Sequence, residues 1–194
     1  MTLCEHCIIS DIYRFVYYEI PRCATRTMLE YFVRHPNMDY GASRLAPGDV
    51  TGGRREYYKF TFVRNPYDRL VSCYQQKINN HRKPGLHIHE KELRYGMPFK
   101  DFVSHVTIKK RLGEMDLHYR PQYSFIREDM RIGRLEDFEG DFRRIINEIG
   151  LPYYPAPVVN AAPNKKNWQR FYKKDTRALV RKFYDKDFEM LGYE

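Results

Sequence analysis

The feature that most constrains this chain is an order of segments that occurs twice. Each time, a β-branched and aromatic run stops at a polar loop, and helical spacing begins at once. Residues 13–20, YRFVYYEI, run into Pro21, after which Met28, Leu29, Phe32 and Val33 recur at helical intervals through Arg34. Residues 57–63, YYKFTFV, stop at Arg64-Asn65-Pro66, and Leu70, Val71, Tyr74 and Ile78 then share one helical face. Asn65 suits an N-cap, Pro66 the first helical position and Asp68 the positive first turn. Strand, loop and helix repeated in this way predict an α/β, P-loop-like layered domain, its central sheet mostly parallel and flanked by helices. Sheets of that kind bind ligands at the carboxyl ends of their strands. The loops at 21–27 and 64–72 are therefore the ones that matter.

The rest of the chain fits around that frame. The pattern predicts a short helix from Pro98 to Val106, a strand from Met130 to Leu135 and a helix from Asp137 to Ile149. That helix carries Phe138, Phe142, Ile145, Ile146 and Ile149 on its inner stripe, and a last helix runs from Asp175 to Leu191. Residues 36–56 and 81–97, rich in glycine, proline and charge, read as irregular excursions. No repeat of solenoid length is visible, and 194 residues suit a single domain spanning 1–194.

Charge narrows the partner. Lys and Arg number 34 against 25 Asp and Glu, a formal +9, so the expected partner is an anion. No recognised nucleic-acid-binding signature accompanies that charge, so nucleic acid is not the expected one. No apolar run approaches the length of a membrane span, and MTLCEHCIISD lacks the layout of a signal peptide. The expectation is a soluble, cytoplasmic chain, of microbial or viral type rather than a trimmed catalytic domain. Cys4, Cys7, Cys23 and Cys73 are too few for a disulfide framework and read as free thiols. Cys4-Glu5-His6-Cys7 is half of a zinc pattern without a second half, and the N-terminus reads as frayed. His81, His87 and His89 sit in a basic loop with no carboxylate or Cys to complete a coordination sphere, so no metal is expected.

The first loop, Pro21-Arg22-Cys23-Ala24-Thr25-Arg26-Thr27, has no glycine and matches neither common phosphate-loop pattern. It does place two arginines and two threonines at a helix N-terminus, where unpaired amides and the macrodipole favour an anion. There the loop amides, Thr25 and Thr27 hold a phosphate, with Arg22 adding charge. The second loop puts Arg64 at a strand end and Ser72 within the following helix, a guanidinium and a hydroxyl able to clamp a second phosphate.

Together these segments resemble the sulfotransferase signature: a PKxxxTS-like loop after one strand and FxRxPxxRxxSxY, here Phe62 to Tyr74, after a later one. The resemblance extends to the carbohydrate branch, sulfotransferase family 2. His118-Tyr119-Arg120-Pro121-Gln122 is similar to its HWxPQ element, and Ile132 to Glu139 to its IGRxE run. Phe183 to Phe188 with Gly192-Tyr193 is similar to its closing YxxDFxxxGY. The resemblance implies that Arg22, Cys23, Ala24, Thr25, Arg26 and Thr27 grip the 5′-phosphosulfate of 3′-phosphoadenosine 5′-phosphosulfate (PAPS). It assigns the 3′-phosphate to Arg64 and Ser72. The family usually has Lys where this chain has Arg22, and that Lys is implied to steady the bridging oxygen as the S–O bond breaks. Arg22 stabilises such charge but cannot donate its proton as an acid.

The implied reaction is in-line transfer of a sulfuryl group to an acceptor hydroxyl, which needs a base for the hydroxyl proton. His118 leads, since imidazole titrates near neutrality; His35 follows, then Asp49 and Glu56. The implied acceptor is a glycan or other hydroxyl-bearing small molecule, met by the loops at 36–56 and 81–97. Two alternatives stay open: a PAPS-binding protein with weak or no catalysis, and a P-loop-type nucleotide kinase, although the loop lacks that class's GK[ST].

Overall fold

The computed structural model describes residues 6–37, 44–46, 50–80, 90–109, 111–157 and 167–194. The chain divides into two compact units, Met1–Arg64 with Ser124–Ala161 and Asn65–Tyr123 with Ala162–Glu194.

The first unit holds the sheet. Its strands are β1 (Cys7–Ser10), β2 (Phe15–Tyr18), β3 (Arg44–Leu45), β4 (Tyr58–Val63) and β5 (Met130–Arg134), arranged β3-β1-β2-β4-β5. β2, β4 and β5 run parallel, with Tyr17 opposite Phe60 and Phe62 opposite Gly133. β1 joins the far side of β2 antiparallel and in turn accepts β3 antiparallel. The parallel strands are connected through helices, as parallel pairing requires. α1 (Thr25–Arg34) follows β2, and α4 (Phe138–Glu148) follows β5.

Phe32 of α1 packs on Phe15 with ring centroids 4.9 Å apart, and Phe138 of α4 packs on Phe62 at 5.0 Å. Tyr31 meets Phe142 edge-on at 4.8 Å, so both helices cover the face that presents Phe15, Tyr17, Phe60 and Phe62. β1 and β2 are buried along their whole length, the pattern of strands covered on both faces.

The second unit is helical: α2 (Pro66–Lys77), α3 (Phe99–Thr107), α5 (Lys174–Phe183) and α6 (Asp185–Leu191). Its core is aromatic. Tyr67 stacks on Trp168 at 5.4 Å and touches Phe188 at 4.8 Å, while Tyr74 meets Phe99 edge-on at 5.1 Å. α2 begins as expected, with Pro66 at its first turn and the Asn65 side chain accepting from the Tyr67 N–H at 3.0 Å.

Two expectations are corrected. The N-terminus is not frayed from residue 7 onward: Cys7, Ile8 and Ile9 are buried in β1, flanked by β2 and β3. The predicted last helix is two helices, broken at Tyr184, whose φ of −102° and ψ of 26° depart from helical values. The break lets Tyr184 and Asp187 turn toward the same segment, as described below. Of the cysteines, Cys7, Cys23 and Cys73 are buried free thiols, and Cys4 lies outside the described residues, as do His81, His87, His89 and Asp49.

Candidate functional site

The loop after β2 is shaped by its backbone. Arg22 and Ala24 adopt left-handed conformations, φ 72° and 62°, which cost an L-residue about 1 kcal/mol or more each. A loop without glycine holds such a shape only where its surroundings impose it. Three bonds do so here. Cys23 N–H donates to Ile20 O at 3.1 Å, the Thr25 hydroxyl donates to the same oxygen at 3.0 Å, and Met28 N–H donates to Ala24 O at 2.9 Å. The Cys23 thiol points into the core, fully buried, and anchors the loop from below.

Ala24 is the N-cap of α1 and offers no side-chain acceptor, so the first-turn amides, Thr25 to Thr27, have no carbonyl of their own helix to pair with. Left-handed residues in the loop ahead of an uncapped helix N-terminus suit a nest of N–H groups that favours an anion. The second arginine joins it: Arg64, directly after β4, places Nη1 3.5 Å from Arg22 O. β2 and β4 are parallel neighbours, so the structure brings Arg22, Cys23, Ala24, Thr25, Arg26, Thr27 and Arg64 to the same end of one sheet. Arg26 is exposed at the loop rim, and Thr25 braces the turn.

The remaining predicted residues are carried by other elements. His35 follows α1, where Nδ1 accepts from Asn37 N–H at 3.2 Å and Nε2 donates to Pro152 O at 2.8 Å. Both ring nitrogens are occupied and the residue is buried, which suits a structural post rather than a base. Glu56 ends a short 3-10 turn, Gly52–Glu56, just ahead of β4 and thus at the opposite end of that strand from Arg64. Ser72 is a buried residue of α2, and His118 lies in the turn before Pro121, both in the second unit.

That turn is held from several sides. Arg69 of α2, 2% exposed, donates Nη1 to Arg120 O at 2.7 Å and Nη2 to Leu117 O at 3.1 Å. The Asp187 carboxylate accepts from Gln122 N–H and Tyr123 N–H, each at 2.8 Å, and the Tyr184 hydroxyl donates to Tyr119 O. Burial pushes the Asp187 carboxyl up, while those two amides pull the other way. Arg69, the His118–Gln122 run and the closing Tyr184–Phe188 run, separate in sequence, are thus parts of one brace.

His118 Nδ1 lies 2.8 Å from Asp116 Oδ1, which also accepts the His118 N–H at 2.9 Å. Lys77 Nζ, at the end of α2, is 2.7 Å from Asp116 Oδ2. Burial acts to raise the Asp116 carboxyl, but the bonds from His118 and Lys77 outweigh it and hold the group well below the usual carboxylate range. The sequence reading missed Asp116 and Lys77. The available signals were an acid two residues before the histidine and a lysine one residue before Ile78 on the buried stripe of α2.

Among the described residues, Glu90, Glu92 and His105 have ligand-type atoms within 4.8 Å of one another, and Glu92 and His105 border a cavity of about 390 Å³. His105 Nε2 is 2.8 Å from Glu90 Oε2, and Lys109 Nζ lies 3.1 Å from the same oxygen, so an ammonium already answers that charge.

Comparison with known proteins gives the family. The family described as the sulfotransferase family matches residues 5–194. Carbohydrate sulfotransferase 14 of Danio rerio is 25% identical over 237 residues, covering 99% of this chain and 63% of its own length. Carbohydrate sulfotransferase 10 of Xenopus laevis is 26% identical over 196 residues, 84% of this chain and 55% of its own. The human carbohydrate sulfotransferase 14 is 24% identical, with 87% and 52% covered. This chain therefore spans about half to two thirds of the length of these relatives. No solved structure matches it significantly. No helix among the described residues is long and apolar enough to cross a membrane.

Proposed function

Since this chain belongs to the sulfotransferase family, we propose that it moves a sulfuryl group from PAPS to a hydroxyl of a carbohydrate-like acceptor. The observation that carries the reading is the loop at 21–27. Its two left-handed residues turn the backbone toward an uncapped helix N-terminus, and Arg64 reaches the Arg22 carbonyl from the neighbouring strand. That is a cradle for a phosphate made without glycine, and the +9 chain carries charge of the sign a bisphosphate needs.

In this reading the amides of Ala24 to Thr27, with Arg22 and Arg26, hold the phosphosulfate, and Arg64 with Ser72 holds the 3′-phosphate. The acceptor oxygen forms a bond to sulfur as the bond from sulfur to the bridging phosphate oxygen breaks, and adenosine 3′,5′-bisphosphate leaves. Arg22 stabilises the charge that grows on the leaving phosphate and keeps its own protons. The acceptor proton passes to His118, whose ring is 37% exposed, whereas His35 is committed at both nitrogens. The glycan class of acceptor is carried by the names of the relatives, both carbohydrate sulfotransferases. A cytoplasmic location belongs to the same proposal and is checked by fractionating the source cells.

The test is thermal stabilisation by adenosine 3′,5′-bisphosphate, compared with ATP and magnesium, followed by transfer of labelled sulfate from PAPS to a glycan panel. The bisphosphate should stabilise and a glycan should gain label. Stabilisation by ATP-magnesium alone would sink the proposal in favour of a nucleotide kinase, and bisphosphate binding without transfer to any acceptor would leave a donor-binding protein.

A further inference from the structure

We infer that Asp116, held from behind by Lys77, is a positioning residue that fixes the tautomer of His118 and leaves Nε2 as the atom that takes the acceptor's proton. The inference deepens the proposed function and rests on His118 being its base.

The donors around the carboxylate decide the chemistry. Asp116 Oδ2 faces the Lys77 ammonium at 2.7 Å, and Oδ1 receives the His118 backbone N–H at 2.9 Å. Neither partner can accept a hydrogen bond, so the carboxylate acts as an acceptor throughout. The third contact, 2.8 Å from Oδ1 to His118 Nδ1, is then satisfied only if Nδ1 carries the hydrogen. In the neutral ring Nε2 is consequently the bare nitrogen. Lys77 is 2% exposed and Asp116 18%, so the pair is largely shielded from competing water.

Three further charged groups hold the backbone of this turn. Arg69 of α2 holds Leu117 O and Arg120 O, the Arg120 guanidinium donates to Met115 O at 2.8 Å, and Asp187 of α6 holds Gln122 and Tyr123. Among the described residues, Asp116 is the acid shown in contact with the ring. During transfer the acceptor O–H bond breaks, its electron pair goes to the new O–S bond, and the proton moves to Nε2. The imidazolium so formed keeps its Nδ1–H on Asp116, which offsets the new charge.

The isosteric Asp116→Asn variant tests this because it reverses one partner. Lys77 is only a donor, so the amide carbonyl must face it, and the amide NH2 must face His118. That makes Nδ1 an acceptor and moves the ring hydrogen to Nε2, the wrong tautomer for a base. Ring 15N NMR of the full chain should show neutral His118 in the Nδ1–H form, and in the Nε2–H form in Asp116→Asn. The kcat of the Asn variant should fall about 100-fold or more, the usual weight of a general base. Its affinity for adenosine 3′,5′-bisphosphate should not change. Asp116→Ala, which imposes no tautomer, should lose no more kcat than Asp116→Asn.

A purely structural Asp116 predicts the reverse order, because Asn fills the space that Ala empties. That order, a wild-type ring in the Nε2–H form, or an Asn variant with normal kcat would each overturn the inference. The wild-type spectrum needs neither a variant that folds nor turnover. A protein with the expected tautomer but no sulfuryl transfer would thus defeat the proposed function and leave the role of Asp116 in setting the ring intact.

Discussion

Arg64 is placed by geometry that needs no helix or turn of its own: it is the first residue after β4, and its guanidinium reaches across to the carbonyl of Arg22 after β2. Replacing it with Ala removes a charge-assisted bond to the 3′-phosphate in the proposed complex. Affinity for adenosine 3′,5′-bisphosphate should then fall about 10- to 100-fold by calorimetry, since bonds to charged groups are worth about 1.5–3 kcal/mol. Unchanged affinity would move the 3′-phosphate to other residues. Asp116 makes a second prediction at this scale. Its carboxyl is held below the ordinary range in the folded chain, so its stabilisation is present above about pH 4 and drains away as pH falls further. The urea midpoint of Asp116→Asn should lie below that of the wild type at pH 7, and the gap should narrow at pH 3. A gap of constant size would show that the charge of Asp116 contributes nothing to stability. Arg22, Thr25 and Arg64 were legible as anion-site candidates because residue type and spacing carry that signal. The support behind His118 was not, since Lys77 meets Asp116 only through tertiary contact and no local rule links positions 77 and 116.

Elements were read best where the hydrophobic period is long. β4, α2 and α4 appear within a residue or two of their expected ends, because six to twelve residues of consistent pattern outweigh local ambiguity. β1 escaped notice because it is four residues long and buried on both faces, so it shows no alternation. The apolar stripe of the last helix survives the break at Tyr184 and so predicts one continuous helix; what the stripe cannot show is the pull of Tyr119 O on the Tyr184 hydroxyl. At β5, Gly133 stands opposite Phe62, and a Cβ there would lie 2.5 Å from the ring. That ring is fully buried and packed on Phe138, so it has little room to yield. Gly133→Ala should destabilise the chain by about 1–3 kcal/mol in urea titration, the usual effect of overpacking. A neutral result would mean that the Phe62 ring is freer than its packing indicates. α2 also behaves as a ruler, because Arg69, Ser72 and Lys77 project from one rod. Inserting one residue between Ser72 and Lys77 would turn them about 100° relative to each other and part the lysine from Asp116.

The whole molecule is threaded rather than modular. The chain passes from the first unit to the second at Asn65, back at Ser124 and across again at Ala162. Residues 124–161 supply β5 and α4 to the sheet unit, so a fragment ending at residue 123 leaves β4 with an unpaired edge and strips Phe62 of Phe138. Such a fragment should show no cooperative thermal transition by circular dichroism; a sharp one would mean that β1 to β4 and α1 form a stable core alone. At this scale the sequence order announced a layered α/β arrangement, because alternating strands and helices leave few other ways to bury both faces of a sheet. The division into two interleaved units could not be read the same way, since it depends on which distant segments pack together. The threading bears on ancestry as well. A single genetic crossover between residues 64 and 124 separates β4 from β5, one of its two partner strands, and one between 124 and 161 separates α2 from α5 and α6. Neither half can be traded for a relative's without tearing a core, so recombination should pass this stretch on whole and diversify it by point change and loop length.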